Sequence, residues 1–183
     1  QCRAAGAHAQ LEGGAPAGAV ELAVVMANTP GHACLVLGVG LRAHATSATL
    51  RGLWQQARAL LPAPVDGFCA LAVLEGKEQH PALAGWLGPA SVPVLALPVG
   101  ALRHQPVATQ SPRLQARYGT GSVAEAAALA AAGPQAQLLL PRRVALDGSA
   151  TLAVALRHPA PFDCCMAVAG SSRAAAWTQG ATA

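Results

Sequence analysis

RYGTGSVAEAAALAAAG occupies residues 117–133. Read for structure, it is a helix with both ends marked. Ser122 and Glu125 stand in the S-x-x-E pattern of a capping box, in which each side chain satisfies the other residue's backbone N–H. Ala124 to Ala132 supply strong helix formers, and Gly133-Pro134 stop the helix. Read for chemistry, Gly119, Thr120, Gly121 and Ser122 bring two glycines and two hydroxyls to a helix start. Unpaired N–H groups and the helix dipole favour an anion there. Whether the turn does more than begin the helix depends on what surrounds it.

Outward from this helix, short apolar runs alternate with helical patterns. ACLVLGVG (33–40), GFCALAVLEGK (67–77) and SVPVLALPV (91–99) each contain a short run of the kind that forms a strand buried on both faces. Thr46 or Ser47 caps a helix through Leu60 that carries Leu50, Leu53, Trp54 and Ala57 on one face. PALAGWL (81–87) is a short helix, and residues 100–119 read as a looser connection. QLLLP (137–141) and TLAVALR (151–157) are the fourth and fifth strands, joined through a turn at Asp147-Gly148. The expected fold is α/β: a three-layer α/β/α arrangement around a mixed, mostly parallel sheet of about five strands. Residues 1–31 read as a linker or poorly ordered tail, 32–158 as the domain and 159–183 as a C-terminal tail.

The composition narrows the function. Of 183 residues, 53% are hydrophobic but only 3% aromatic, so alanine-rich helix packing must supply much of the stability. Twelve Lys and Arg against eight Asp and Glu give a net charge of +4. That balance suits a small acidic ligand and is too sparse for nucleic acid, which would also need an aromatic and basic stripe. No apolar run is long enough to span a membrane. The five cysteines show no C-x-x-C spacing. Cys34 and Cys69 read as buried thiols in apolar runs, and a reducing cytoplasm is the expected compartment.

Cations gather where the strands end. Arg42 follows Gly38-Val39-Gly40, Lys77 follows Glu75-Gly76, and Arg142-Arg143 follow the fourth strand. Ligands of open α/β sheets favour the crevice beyond the carboxyl ends of the strands. With the Gly119–Ser122 turn, these residues predict a site for a ligand carrying several carboxylates or phosphates, its arms held by arginine pairs and a mobile lysine. The expected ligand-binding set is Gly38, Gly40, Arg42, Lys77, Gly119, Thr120, Gly121, Ser122, Glu125 and Arg142. No dinucleotide fingerprint or phosphate loop is present, since Gly38-Val39-Gly40 lacks the third glycine and no G-K-[ST] occurs. His44, His80 and His104 have no identifiable nucleophile or orienting carboxylate, so no catalytic residue is assigned. Neither a bound metal nor a resident cofactor is expected.

The run GTGSVAEAAALAAAG, followed by QLLLPRR and TLAVAL, resembles the CobE/CbiG C-terminal-domain family of cobalamin biosynthesis. GVGLRAHATSATL and LEGKEQHPAL are similar to that family's first strand and its lysine loop, and the likeness runs over roughly residues 33–158. Leu41 stands where the family usually has cysteine, Ala43 and His44 where it has a basic-glycine pair, His80 where it tends to have glutamate, and Arg142 where it has lysine. The resemblance implies corrin-ring chemistry in the cytoplasm and a precorrin or corrinoid ligand. Longer members open a lactone on a cobalt-corrin intermediate and release a two-carbon fragment, using additional N-terminal domains. Residues 1–31 are too short for those domains, so the stand-alone form is expected. Its expected role is to bind an intermediate. Two alternatives stay open: a hydrolase opening a corrin lactone, with water activated by Glu125 or a histidine, and a subunit assisting a neighbouring pathway enzyme.

Overall fold

The apolar run after residue 33 becomes β1 (Cys34–Leu41), covered on both sides along most of its length. The structure is a computed structural model and describes residues 34–62, 65, 67–88 and 92–157. The tails read at 1–31 and 159–183 lie outside the described residues. After β1 come α1 (Ser47–Arg58), β2 (Ala70–Leu74), α2 (Pro81–Leu87), β3 (Val94–Leu97), α3 (Val99–Leu102) and α4 (Pro112–Tyr118). The chain then forms α5 (Val123–Ala132), β4 (Gln137–Val144) and β5 (Ala150–Arg157).

The described strands form one five-stranded sheet in the order β3-β2-β1-β5-β4. β1 pairs parallel with β2, and β2 with β3, while β5 pairs antiparallel with both β1 and β4. Four strands therefore run one way and β5 alone runs back. Alternation along each strand splits the core in two. Leu35, Leu37 and Val39 of β1 pack with Leu50, Leu53, Trp54 and Ala57 of α1 and with α2. Val36 packs on the other face with Ala127, Ala128 and Leu129 of α5 and with Leu102 of α3. The result is the expected three-layer α/β/α architecture.

The two layers are built from different materials. Under α1 and α2, Phe68 meets Trp54 edge-on at 5.3 Å and Trp86 at 5.5 Å. Each such pair adds about 0.5–1.5 kcal/mol beyond its burial. The face that α5 itself buries is alanine apart from Leu129 and Glu125, so the helix must lie close to the sheet. Gly38 permits it: a Cβ there would fall 1.9 Å from the Ala124 carbonyl oxygen and 2.5 Å from the Ala128 nitrogen.

Three local readings change. The loose stretch before Gly119 contains α3 and α4, of four and seven residues, too short to show periodicity. β4 runs on to Val144, so Arg142 and Arg143 lie within the strand rather than beyond it. Cys34 is disulfide-bonded and not a buried thiol, a pairing that spacing along a chain cannot reveal.

Candidate functional site

The ends of β1, β2, β3 and β4 and the start of β5 share one edge of the sheet, and the loops there are stitched together by backbone groups. The Arg42 N–H donates to the Ser149 carbonyl at 2.8 Å, joining the loop after β1 to the β4–β5 hairpin. The Lys77 N–H donates to the Leu74 carbonyl at 3.0 Å, and the Lys77 carbonyl accepts from the His80 N–H at 3.1 Å. His80 is the tie between the two loops. Its Nδ1 accepts from the Ala82 N–H at 3.2 Å, capping α2, and its Nε2 lies 3.1 Å from the Arg42 carbonyl. A carbonyl can only accept, so Nε2 carries the proton and the ring is the neutral tautomer. Arg42 and Lys77 are thus carried on two loops that one imidazole holds together.

The Gly119–Ser122 turn is packed more tightly than its glycines imply. Gly119, at φ 71, closes α4 in the left-handed conformation. A Cβ at Gly121 would lie 2.5 Å from the Thr109 carbonyl oxygen and 2.8 Å from Gln110 Cα, so the glycine allows two chain segments to cross. Thr120 and Ser122 are 3% and 0% exposed. Gly119 is the part of the turn that reaches the surface. Packing also accounts for the other two glycines of the expected set: Gly38 lies beneath α5, and the Cβ position of Gly40 is 2.5 Å from Thr151 Oγ1.

The capping box is only half made. Ser122 Oγ accepts from the Glu125 N–H at 3.4 Å, as expected. The Glu125 carboxylate does not return to Ser122. It accepts from the Thr109 N–H at 2.9 Å, from the Thr109 hydroxyl, and from the Arg142 N–H at 2.8 Å. The β4 bulges explain the last of these: Arg142 falls between the paired residues Leu140 and Arg143, which leaves its N–H outside the ladder. Glu125 is fully buried. Burial pushes its carboxyl up, but the Thr109 hydroxyl and the N–H groups of Arg142, Thr109 and Ala108 outweigh that and hold it below its ordinary value. It is a structural knot joining α5, β4 and the 108–109 segment.

Among the expected side chains, Arg42 is exposed and Lys77 and Arg142 are half-buried at this edge. None of the three has an acidic partner among the described residues. Two of the acids nearby are engaged elsewhere: Glu125 as above, and Asp147 with the Ser149 N–H at 2.9 Å, the Ser149 hydroxyl at 2.8 Å and the Thr49 hydroxyl at 3.2 Å, while Glu75 and Glu78 flank Lys77 in its own loop without pairing to it. Beside Lys77, the buried Oε2 of Glu78 has no hydrogen-bond partner. Sequence reasoning missed Thr109, which carries no motif, and Arg103, which lies against Gly119. The Ser111-Pro112 start and Gly119 stop of α4 were the signals that would have organised this stretch.

Two shallow depressions stand out among the described residues, one of about 270 Å³ around Gln105, Leu129 and Gly133 and one of about 240 Å³ at this edge, between α1 and the hairpin at Ala145–Asp147. Both are smaller than ordinary small-molecule pockets, and neither includes the three cations. Among the described residues no group of three metal-ligating side chains occurs, and no helix is long and apolar enough to cross a membrane.

Fold and edge together define an α/β domain whose unneutralised cations collect at the carboxyl end of a mixed sheet. The family profile described as "Cobalamin synthesis G C-terminus" matches residues 35–155. Among solved structures, CobE, "a protein from the cobalamin (vitamin B12) biosynthetic pathway", is similar at 30% identity with a TM-score of 0.60, over 70% of this chain and 93% of that one. Cobalamin biosynthesis protein chiG from Agrobacterium tumefaciens strain C58 is similar at 28% identity and a TM-score of 0.50, over 68% of this chain and 99% of that one. A putative cobalamin biosynthesis protein G homolog from Sulfolobus solfataricus shares the fold at 17% identity and a TM-score of 0.51, over 70% of this chain and 38% of that one. Comparison with curated protein sequences gives no match. The chain belongs to the cobalamin synthesis G C-terminal family and is a protein of cobalamin biosynthesis.

Proposed function

We propose that this domain binds a tetrapyrrole-derived precorrin or corrinoid intermediate by its carboxylate arms at the carboxyl edge of the sheet. The observation that carries the reading is charge without neutralisation: Arg42, Lys77 and Arg142 stand at one edge with no acidic partner among the described residues. Corrinoid precursors display acetate and propionate groups around a flat ring too large for either depression, so an open, cationic rim suits them. Arginines take carboxylates through paired hydrogen bonds, and the lysine adds a mobile charge. Below them the start of α5 contributes its partial positive charge.

Binding is favoured over hydrolysis of a corrin lactone by the state of Glu125. Its carboxylate is buried away from water and already accepts from the Thr109 N–H, the Thr109 hydroxyl and the Arg142 N–H, which leaves it poorly placed to activate a water. His80 is committed at both ring nitrogens. A role beside other enzymes of the pathway fits the same edge, since an intermediate held on an open surface can be passed on. The compartment proposed is the cytoplasm. A reducing cytoplasm keeps cysteines as thiols, which runs against the disulfide at Cys34, so counting free thiols after non-reducing lysis tests it: a free Cys34 thiol is the result expected of a cytoplasmic protein, and a persistent disulfide contradicts that compartment.

The binding reading is tested by titrating the purified chain with hydrogenobyrinic acid, following the corrin absorbance and weighing the ligand afterwards by mass spectrometry. Saturable binding with unchanged ligand, weakened by Arg42→Ala and by Lys77→Ala, is expected. A changed ligand mass would replace the binding role with an enzymatic one.

A further inference from the structure

On the α5 side of the same edge stands a cation that strand-end reasoning passes over. Arg103 follows α3 directly, and its side chain lies across Gly119. A Cβ at Gly119 would come within 3.1 Å of Arg103 Cγ, 3.2 Å of Nε and 3.4 Å of Cδ. Gly119 is therefore glycine on two counts, its φ of 71 and the room it leaves for Arg103. The next residue, His104, adopts φ 65, one of two left-handed non-glycine residues among those described. Such a conformation is uncommon and turns the chain sharply right after Arg103. On the far side, Gln105 Nε2 donates to the Ala101 carbonyl at 3.2 Å and closes the end of α3. The stem of Arg103 thus runs across the Gly119 backbone while the residue stays exposed, and no acid among the described residues pairs with it. The buried acid of this region, Glu125, is occupied by Thr109 and the Arg142 N–H.

We propose that Arg103 is a further ligand-binding residue of this edge, taking one carboxylate arm of the intermediate from the α5 side through paired hydrogen bonds. The inference rests on the binding reading above and adds a residue to it. A guanidinium whose stem packs along a backbone has fewer conformers to lose on binding than one that projects freely into solvent, which is a physical reason to lay it across a glycine. Its planar fork suits a carboxylate, and its position beside the start of α5 places the bound charge close to the favourable end of the helix dipole.

The test is the same titration with hydrogenobyrinic acid on the full chain, comparing Arg103→Ala, Arg103→Lys and Arg42→Ala, with thermal unfolding of each as a control. Arg103→Ala is expected to weaken binding about tenfold or more, the loss typical of a charge-assisted pair, without lowering the unfolding temperature. Arg103→Lys restores only part of it, because an ammonium cannot offer two parallel donors. Should Arg103→Ala bind within about twofold of the parent while Arg42→Ala weakens, Arg103 has no part in the site and the binding reading stands. Should the parent chain itself fail to bind, both fall together.

Discussion

At Gly38 a single hydrogen in place of a side chain decides how near α5 comes to the sheet. A methyl group there would sit 1.9 Å from the Ala124 carbonyl oxygen, a backbone atom that cannot turn aside. Gly38→Ala is expected to cost about 3 kcal/mol or more, read as a lowered urea midpoint. Glu125 is the second decisive residue, for an electrostatic reason. Its carboxyl lies below its ordinary value of 4.5 in the folded chain, so it binds fewer protons there than in the unfolded one. The stability it supplies is complete above pH 4.5 and is lost as pH falls through the depressed folded value. Glu125→Gln is expected to lower stability at neutral pH by about 2–4 kcal/mol, since buried N–H donors lose a charged acceptor. The same variant should show a flatter loss of stability in acid, measured by urea unfolding at pH 7 and below pH 4.5.

Elements carry their own signals. α5 was legible because its composition, its Ser122 cap and its Gly133 stop all agree, and Ser122→Ala is expected to cost about 1 kcal/mol. The destination of Glu125 was not legible, because the S-x-x-E pattern says where a carboxylate can go and not what else competes for it. Three N–H donors and the Thr109 hydroxyl, brought in from other segments, outbid the Ser122 N–H. α2 coincides with PALAGWL, and the core face of α1 is the one its periodicity gives. The buried strands were legible by run length, whereas the extension of β4 to Val144 was hidden by Pro141 and two arginines, which suit an edge strand with bulges. Of the site, the strand-end cations were readable because strand ends are. The hand-over from His80 to the Arg42 carbonyl required the tertiary structure. His80→Ala is expected to speed hydrogen exchange at Ala45 and Ala82 by loosening both loops, with a stability loss of about 1 kcal/mol from the lost cap.

At the scale of the molecule, the described residues form an alanine-rich body with Arg42, Lys77 and Arg142 gathered at one edge. A ligand with several carboxylates would be held mainly by charge, so its affinity should fall steeply as salt rises, and less steeply once Arg42 and Lys77 are replaced by alanine. The central claim, that the ligand lies at the carboxyl edge, is tested most directly by amide-resolved NMR of the labelled chain titrated with hydrogenobyrinic acid. Saturable shifts confined to the amides of Arg42, Lys77, Arg103, Gly119 and Arg142 are the expected result. Shifts centred instead on Gln105, Gly133 and Gln135, at the far end of α5, or no shifts at all, would contradict it.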